Sequence, residues 1–231
     1  MSDKENLLYK PKLIIFDMDG VLVDVSHSYR LAIKKTAEFF LGVIIDNEQI
    51  ERLKLCGGYN DDYDCTDAIL KNHGRIVSRE IIIKKFQEYY LGKPYRGLIE
   101  NEKWMLEKSI LSTMAKKYKL AIFTGRPKNE ANYTLKNSTT VGFFNPVITA
   151  EDTPNKKPNP EGINLIMNIL HINSAVYIGD TLDDLLAARA ANIEFIGVIA
   201  PGCDRVRLRS VLRDNGSKIV LEDINSIVKI L

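Results

Sequence analysis

Cysteine, histidine and long apolar runs are what this chain has least of. Its 231 residues hold three cysteines, Cys56, Cys65 and Cys203, with no Cys-x-x-Cys spacing and no even count to pair. They fit reduced thiols better than a disulfide framework or a thiolate zinc site. The three histidines, His27, His73 and His171, are scattered and form no ligand pattern. No apolar run approaches the length of a membrane span, so no membrane association is expected. Residues 1–11 are polar and carry both charge signs, unlike a secretory leader. A net charge of +2 argues against a dedicated nucleic-acid surface. Internal repeats and low-complexity tracts are missing too. These absences point to a cytoplasmic globular protein. Its 45% apolar and 27% charged residues are ordinary for that class. The length allows one sizeable core, with or without a small second unit.

What is present is organised around residues 13–22. Leu13-Ile14-Ile15-Phe16 is an apolar run without polar alternation, the pattern of a strand buried on both faces. It delivers Asp17 to the strand's carboxyl end, where open α/β sheets hold their ligands. Gly20 permits a tight turn three residues on. Further strands are expected at residues 120–125, 146–149, 175–180, 194–199 and 218–221. Helices are expected at 102–118, at 129–137, from the 153–160 loop through 170, at 182–193, at 205–212 and from 222. This alternation implies an α/β fold with a doubly wound parallel sheet, Rossmann-like in its core.

Residues 25–92 break the alternation. They read as four helical segments with no strand, the first entered through Asp24-Val25-Ser26 with Ser26 as cap and stopped at Gly42. The second is capped by Asp46 or Asn47, the third spans 63–72 and the fourth 78–91. A βαβ crossover takes one helix. The block is therefore expected to be a separate all-helical cap, joined through loops near Asp24 and at Gly92-Lys93-Pro94. The expected organisation is an α/β catalytic core of residues 1–24 and 93–231, with a helical cap of 25–92.

Acids and donors recur where the strands end. Asp17 and Asp19 lie one residue apart on a constrained loop, which a nearby cation would make tolerable. Thr124 and Gly125 close the second strand, with Arg126 after them as a forked donor. Lys157 lies in the loop Lys156-Lys157-Pro158-Asn159-Pro160. Asp180, Asp183 and Asp184 close the fourth strand. Three acids in five residues repel one another, and a helix N-terminus accounts for only one or two of them. Hard carboxylate oxygens with few His or Cys nearby suit Mg²⁺ rather than zinc.

In this order, four segments resemble the motifs of the haloacid dehalogenase (HAD) superfamily, most of whose members are phosphatases. They are Phe16-Asp17-Met18-Asp19-Gly20-Val21-Leu22, Thr124 before Gly125, Lys157 before Pro158, and Gly179-Asp180-Thr181-Leu182-Asp183-Asp184. The helical block is similar to the cap that follows the first motif in one group of that superfamily. The resemblance implies a Mg²⁺-dependent phosphatase that hydrolyses a small phosphorylated metabolite through an aspartyl-phosphate. Asp17 would be the nucleophile and a metal ligand. Asp19 would be the general acid/base, its backbone carbonyl also on the metal. Thr124 and Lys157 would hold the phosphoryl group, while Asp180 and Asp184 would ligate Mg²⁺, with Asp183 as substitute or outer partner. Gly125 and Arg126 are candidate substrate contacts, joined from the cap by Lys54 and Asn60.

Other chemistries share parts of this set. A phosphomutase would use the same motifs, and a non-catalytic phospho-ligand-binding relative would keep the fold. A haloalkanoate dehalogenase has no need of Asp19 or the metal cluster, and a phosphonate hydrolase would need Lys54 as a Schiff base. The run Val25-Ser26-His27-Ser28-Tyr29-Arg30 also resembles a subgroup sometimes fused to a histidine-biosynthesis dehydratase, which makes histidinol phosphate one candidate substrate. Monomer and homodimer both stay open.

Overall fold

The Leu13-Ile14-Ile15-Phe16 run forms strand β1 (Leu13–Phe16), whose four side chains are all buried. The structure is a computed structural model that describes residues 7, 10–93 and 95–231. After β1 come β2 (Val23–Asp24) and four helices, α1 (Tyr29–Leu41), α2 (Asn47–Cys56), α3 (Asp62–Asn72) and α4 (Arg79–Tyr90). β3 (Lys103–Trp104) and α5 (Lys108–Lys117) then lead to β4 (Lys119–Phe123), and α6 (Lys128–Asn137) to β5 (Val147–Ile148). Next are α7 (Glu161–Leu170), β6 (Ala175–Gly179), α8 (Leu182–Ala190) and β7 (Glu194–Val198). The chain finishes with α9 (Arg205–Asp214) and β8 (Ile219–Leu221).

Six strands form one sheet in the order β5-β4-β1-β6-β7-β8, with every neighbouring pair parallel. Alternate residues of the apolar runs serve opposite faces. Ile14, Phe16, Ile122, Val176 and Ile178 enter one core cluster, while Leu13, Ile15, Ala121, Phe123 and Tyr177 enter another. That is why these runs show no polar alternation. The chain builds outward from β1 through β4 and β5, then returns to the other side of β1 as β6. A switch point of this kind opens a crevice beyond the strands' carboxyl ends.

Helices α1 to α4 pack around a cluster of their own, with Ala32, Ile33, Ala37, Ile69, Ile82 and Phe86 buried in it. Burying each large aliphatic or aromatic side chain contributes about 1.5–3 kcal/mol, so the block has its own reason to stay folded over the sheet. Ser26 does not cap α1, which begins at Tyr29; its hydroxyl donates instead to Asp24 Oδ1 at 2.6 Å. Asp46, not Asn47, caps α2 by accepting from the Glu48 N–H.

The expected helix over 102–118 is helical only from Lys108 to Lys117. Its first part is drawn into a ladder, because Lys103–Trp104 pairs antiparallel with Val23–Asp24. The Met105 N–H then donates to the Leu22 carbonyl at 2.9 Å. This small ladder ties together the two places where the chain leaves and rejoins the core. Ile99, in the 3₁₀ turn Leu98–Asn101, packs with the helical cluster. The chain thus stays with the helices beyond Gly92-Lys93-Pro94, of which Pro94 lies outside the described residues. A 3₁₀ segment, Ile224–Lys229, stands where a last helix was expected. No helix among the described residues is long and apolar enough to cross a membrane.

Candidate active site

Strands β1, β4 and β6 lie side by side and end in Asp17, Thr124 and Asp180. Two glycines let the loops close up there. Gly20 has φ +74°, and a Cβ on it would stand 2.2 Å from Asp180 Oδ2. A Cβ on Gly179 would stand 2.4 Å from the Cβ of Asp184. Gly20→Ala is accordingly expected to displace the Asp180 carboxylate and to lose about 1–2 kcal/mol from the left-handed backbone alone. Denaturant unfolding checks this, and an unchanged midpoint would contradict it.

Lys157 is the hub of the site. Its Nζ lies 2.8 Å from Asp17 Oδ1 and 2.7 Å from Asp184 Oδ1, and donates to the Tyr177 hydroxyl at 2.9 Å. Tyr177 donates onward to Asp184 Oδ1. Burial opposes the Lys157 charge, but Asp17 and Asp184 beside it hold its pKa above the ordinary lysine range. The other oxygen of Asp184 accepts from the Thr181 hydroxyl and N–H, a capping box that starts α8. Burial pushes the Asp17 carboxyl up to about 7, Lys157 pulling against it and Asp184 and Asp19 adding to it. Asp180 is pushed well up by burial and then by Asp184 and Asp17.

Asp17, Asp180 and Asp184 each offer a carboxylate oxygen, all within 4.8 Å of one another. Asp180 Oδ1 is buried with no hydrogen-bond partner. One ammonium faces three buried acids, so the group lacks positive charge and carries an orphaned oxygen. Both deficits suit a hard divalent cation such as Mg²⁺. Asp183 is placed elsewhere. Its two oxygens each accept from the Gly58 N–H at 3.1 Å, fastening the loop after α2 onto the start of α8.

The Asp19 side chain is tied to Arg126 rather than to Lys157. Its Oδ1 accepts from Arg126 Nε at 2.6 Å, and burial raises its pKa against the pull of Arg126. Arg126 was expected to face substrate, but its donors are engaged inside the protein. Nη1 donates to Glu102 Oε2 and to the Thr134 hydroxyl, both at 2.9 Å, and Nη2 to Glu102 Oε1 at 3.1 Å.

The cleft between the sheet end and the helices has its main chamber over Asp17 and Lys157. Asp17, Thr124, Gly125 and Lys157 line it from the core, Asn60 and Tyr63 from the helices. A second chamber lies past Asp19 and Tyr29 and is lined by Arg30, Lys54 and Asp180 among others. Lys54 thus borders the cleft, yet its ammonium donates to Asp62 at 2.6 Å and to the Asn60 carbonyl at 2.9 Å, holding its own loop.

Sequence reasoning missed Tyr177, Glu102, Tyr29 and Glu130. A tyrosine inside a fully buried strand needs a partner for its hydroxyl, which is the signal Tyr177 offered. Glu130 is buried beneath the helices, accepting from Gln87 Nε2 at 2.8 Å and from the Tyr29 hydroxyl. Burial pushes it up to about 7. The folded state therefore holds a proton that the unfolded chain releases at lower pH, so stability falls as pH rises from the usual glutamate range through 7. The loss is about 3 kcal/mol at most. Against Glu130→Gln, the wild-type melting temperature should drop progressively between pH 5 and pH 8. A constant difference would refute the assignment.

Residues 14–198 match the profile of a family described as haloacid dehalogenase-like hydrolase. An imidazoleglycerol-phosphate dehydratase of Phytophthora nicotianae is 32% identical over 226 residues, covering 93% of this chain and 49% of the dehydratase. The chain thus spans about half of that relative. A phosphoglycolate phosphatase of Colwellia psychrerythraea is 24% identical over 204 residues, covering 83% of this chain and 85% of that protein. Among solved structures, phosphatase Tt82 from Thermococcus thioreducens superposes with a TM-score of 0.63 at 26% identity, covering 87% of this chain and 99% of the other.

Proposed function

Since the chain belongs to the haloacid dehalogenase-like hydrolase family, we propose that it is a Mg²⁺-dependent phosphatase for a small phosphorylated metabolite, working through an aspartyl-phosphate. The observation that carries this reading is the buried group of Asp17, Asp180 and Asp184, with Lys157 bridging two of them and Asp180 Oδ1 left without a partner.

Asp17 attacks phosphorus from the end of β1 and carries the phosphoryl group. The Thr124 hydroxyl and the Gly125 N–H donate to the phosphoryl oxygens, and the Lys157 ammonium offsets their charge. Asp19 protonates the leaving oxygen and then takes a proton from the water that frees phosphate. Asp17, Asp180, Asp184 and the Asp19 carbonyl would hold Mg²⁺, which would supply the charge that lets a carboxylate approach a dianion. Helices α1 to α4 act as the cap, with Asn60 facing the leaving group across the main chamber. The three free cysteines suit a cytoplasmic setting.

The substrate panel follows from the relatives. It contains phosphoglycolate, because matched relatives are named for it, and histidinol phosphate as an imidazole-bearing ester. A sugar phosphate, a nucleotide and 4-nitrophenyl phosphate complete it. Phosphate release is expected only with Mg²⁺, and the preferred ester names the role. No release from any ester, the aryl one included, would overturn the reading. Conversion of a sugar phosphate to its isomer without phosphate release would identify a mutase instead.

A further inference from the structure

We propose that Arg126, braced by Glu102, is the positioning residue that aims Asp19 at the leaving group, an inference resting on the phosphatase reading above. Arg126 has five N–H donors in a rigid plane, and every one has a partner. Nε and Nη2 both reach Asp19 Oδ1, the first at 2.6 Å. Nη1 and Nη2 form a fork onto the two oxygens of Glu102, and the remaining Nη1 donor goes to Thr134. The Arg126 side chain is wholly buried, and that of Glu102 is 5% exposed.

Glu102 is itself fixed. Its Oε1 accepts from the Tyr90 hydroxyl at 2.9 Å and from the Ser28 hydroxyl at 3.2 Å. The Tyr29 ring lies 5.0 Å from the guanidinium carbon and stacks on Tyr90 with centroids 4.1 Å apart. The guanidinium therefore has no freedom to follow Asp19; Asp19 must conform to it.

The asymmetry at Asp19 carries the functional point. Both contacts from Arg126 fall on Oδ1, and no described residue hydrogen-bonds to Oδ2. The side chain of Asp19 is 31% exposed and borders both chambers of the cleft. Left alone, a half-open aspartate on a loop would sample several rotamers. Anchoring one oxygen presents the other in one direction, towards the space where the leaving oxygen departs. Orientation of this kind raises the rate of proton transfer without adding binding.

Loss of aim should therefore matter most where the leaving group needs a proton. Phenyl phosphate and 4-nitrophenyl phosphate have similar shapes, but only the first leaves poorly as an anion. The test compares kcat/KM for both esters in wild-type, Glu102→Gln and Arg126→Lys proteins, with Asp19→Asn as benchmark. Glu102→Gln keeps the shape and one acceptor, so it retains the fold if Arg126→Lys does not. The variants are expected to lose about tenfold more on phenyl phosphate than on 4-nitrophenyl phosphate, with KM little changed, as the benchmark does. Equal losses on the two esters, or none, would overturn the proposal. A wild-type protein inert towards both would instead overturn the phosphatase reading on which it rests.

Discussion

Asp17→Asn is expected to lower phosphate release by about a thousandfold or more, the scale seen when a covalent nucleophile is removed, while leaving the fold intact. An amide of the same shape cannot attack phosphorus in place of the carboxylate. The charge it removes is one the interior disfavours, since burial already pushes the Asp17 carboxyl up to about 7. Lys157 keeps Asp184 as a partner at 2.7 Å. The melting temperature should therefore stay near that of wild type even as activity vanishes. Activity within tenfold of wild type would place the nucleophile elsewhere. A collapse in stability would mean that Asp17 serves the fold first.

Lys157→Met should do the opposite and damage both. The ammonium is held among Asp17, Asp184 and the Tyr177 hydroxyl, with its side chain almost wholly buried. Removing it leaves buried carboxylates without their partner, which costs about 3–5 kcal/mol. For a chain of this size that is roughly 10 °C in melting temperature. Phosphate release should also fall to background, because the charge on the phosphoryl oxygens is no longer offset. Added Mg²⁺ should raise the melting temperature of this variant by more than it raises that of wild type, since the cation meets a larger charge deficit. An arginine is expected to be a poor substitute, because a planar fork does not fit a pocket built for a point charge with three partners. Thermal melts with and without Mg²⁺ decide the matter, and a stable Lys157→Met protein would contradict the site's electrostatics.

The contrast between these two residues also explains what the sequence makes legible. Asp17, Thr124 and Asp180 follow apolar runs that no polar residue interrupts, and such runs mark buried parallel strands locally. The acids and hydroxyl at their ends could thus be placed without any long-range information. The alternation of strands and helices likewise carries the sheet's parallel character, and the helical block stands out as a gap in it.

What escaped depends on partners far away in the chain. Glu102 reads as the start of a helix, and only its contact with Arg126, 24 residues on, makes it part of the site. Arg126 reads as an exposed donor after a strand, yet Glu102, Thr134 and Asp19 together draw it into the interior. The two-residue pair β2–β3 has no period to detect, and it pre-empted the first turn of the helix expected from residue 102. Asp183 and Asp184 are adjacent and chemically identical. Only the folded chain separates them, sending one to Gly58 and the other to Lys157. Ser26 lies three residues before the helix begins, too early to cap it, and its hydroxyl found Asp24 instead.

The most direct measurement is capture of the covalent intermediate. Asp19→Asn protein is mixed with radiolabelled 4-nitrophenyl phosphate and Mg²⁺, quenched in acid and mapped by peptide. The aryl group leaves with little need of a proton, while the water step lacks its base, so the phosphoryl group should accumulate on the protein. The account predicts label on the peptide containing Asp17, dependent on Mg²⁺ and absent when Asp17→Asn is added. Label on another residue, or nitrophenol release with no label on the protein, would contradict it.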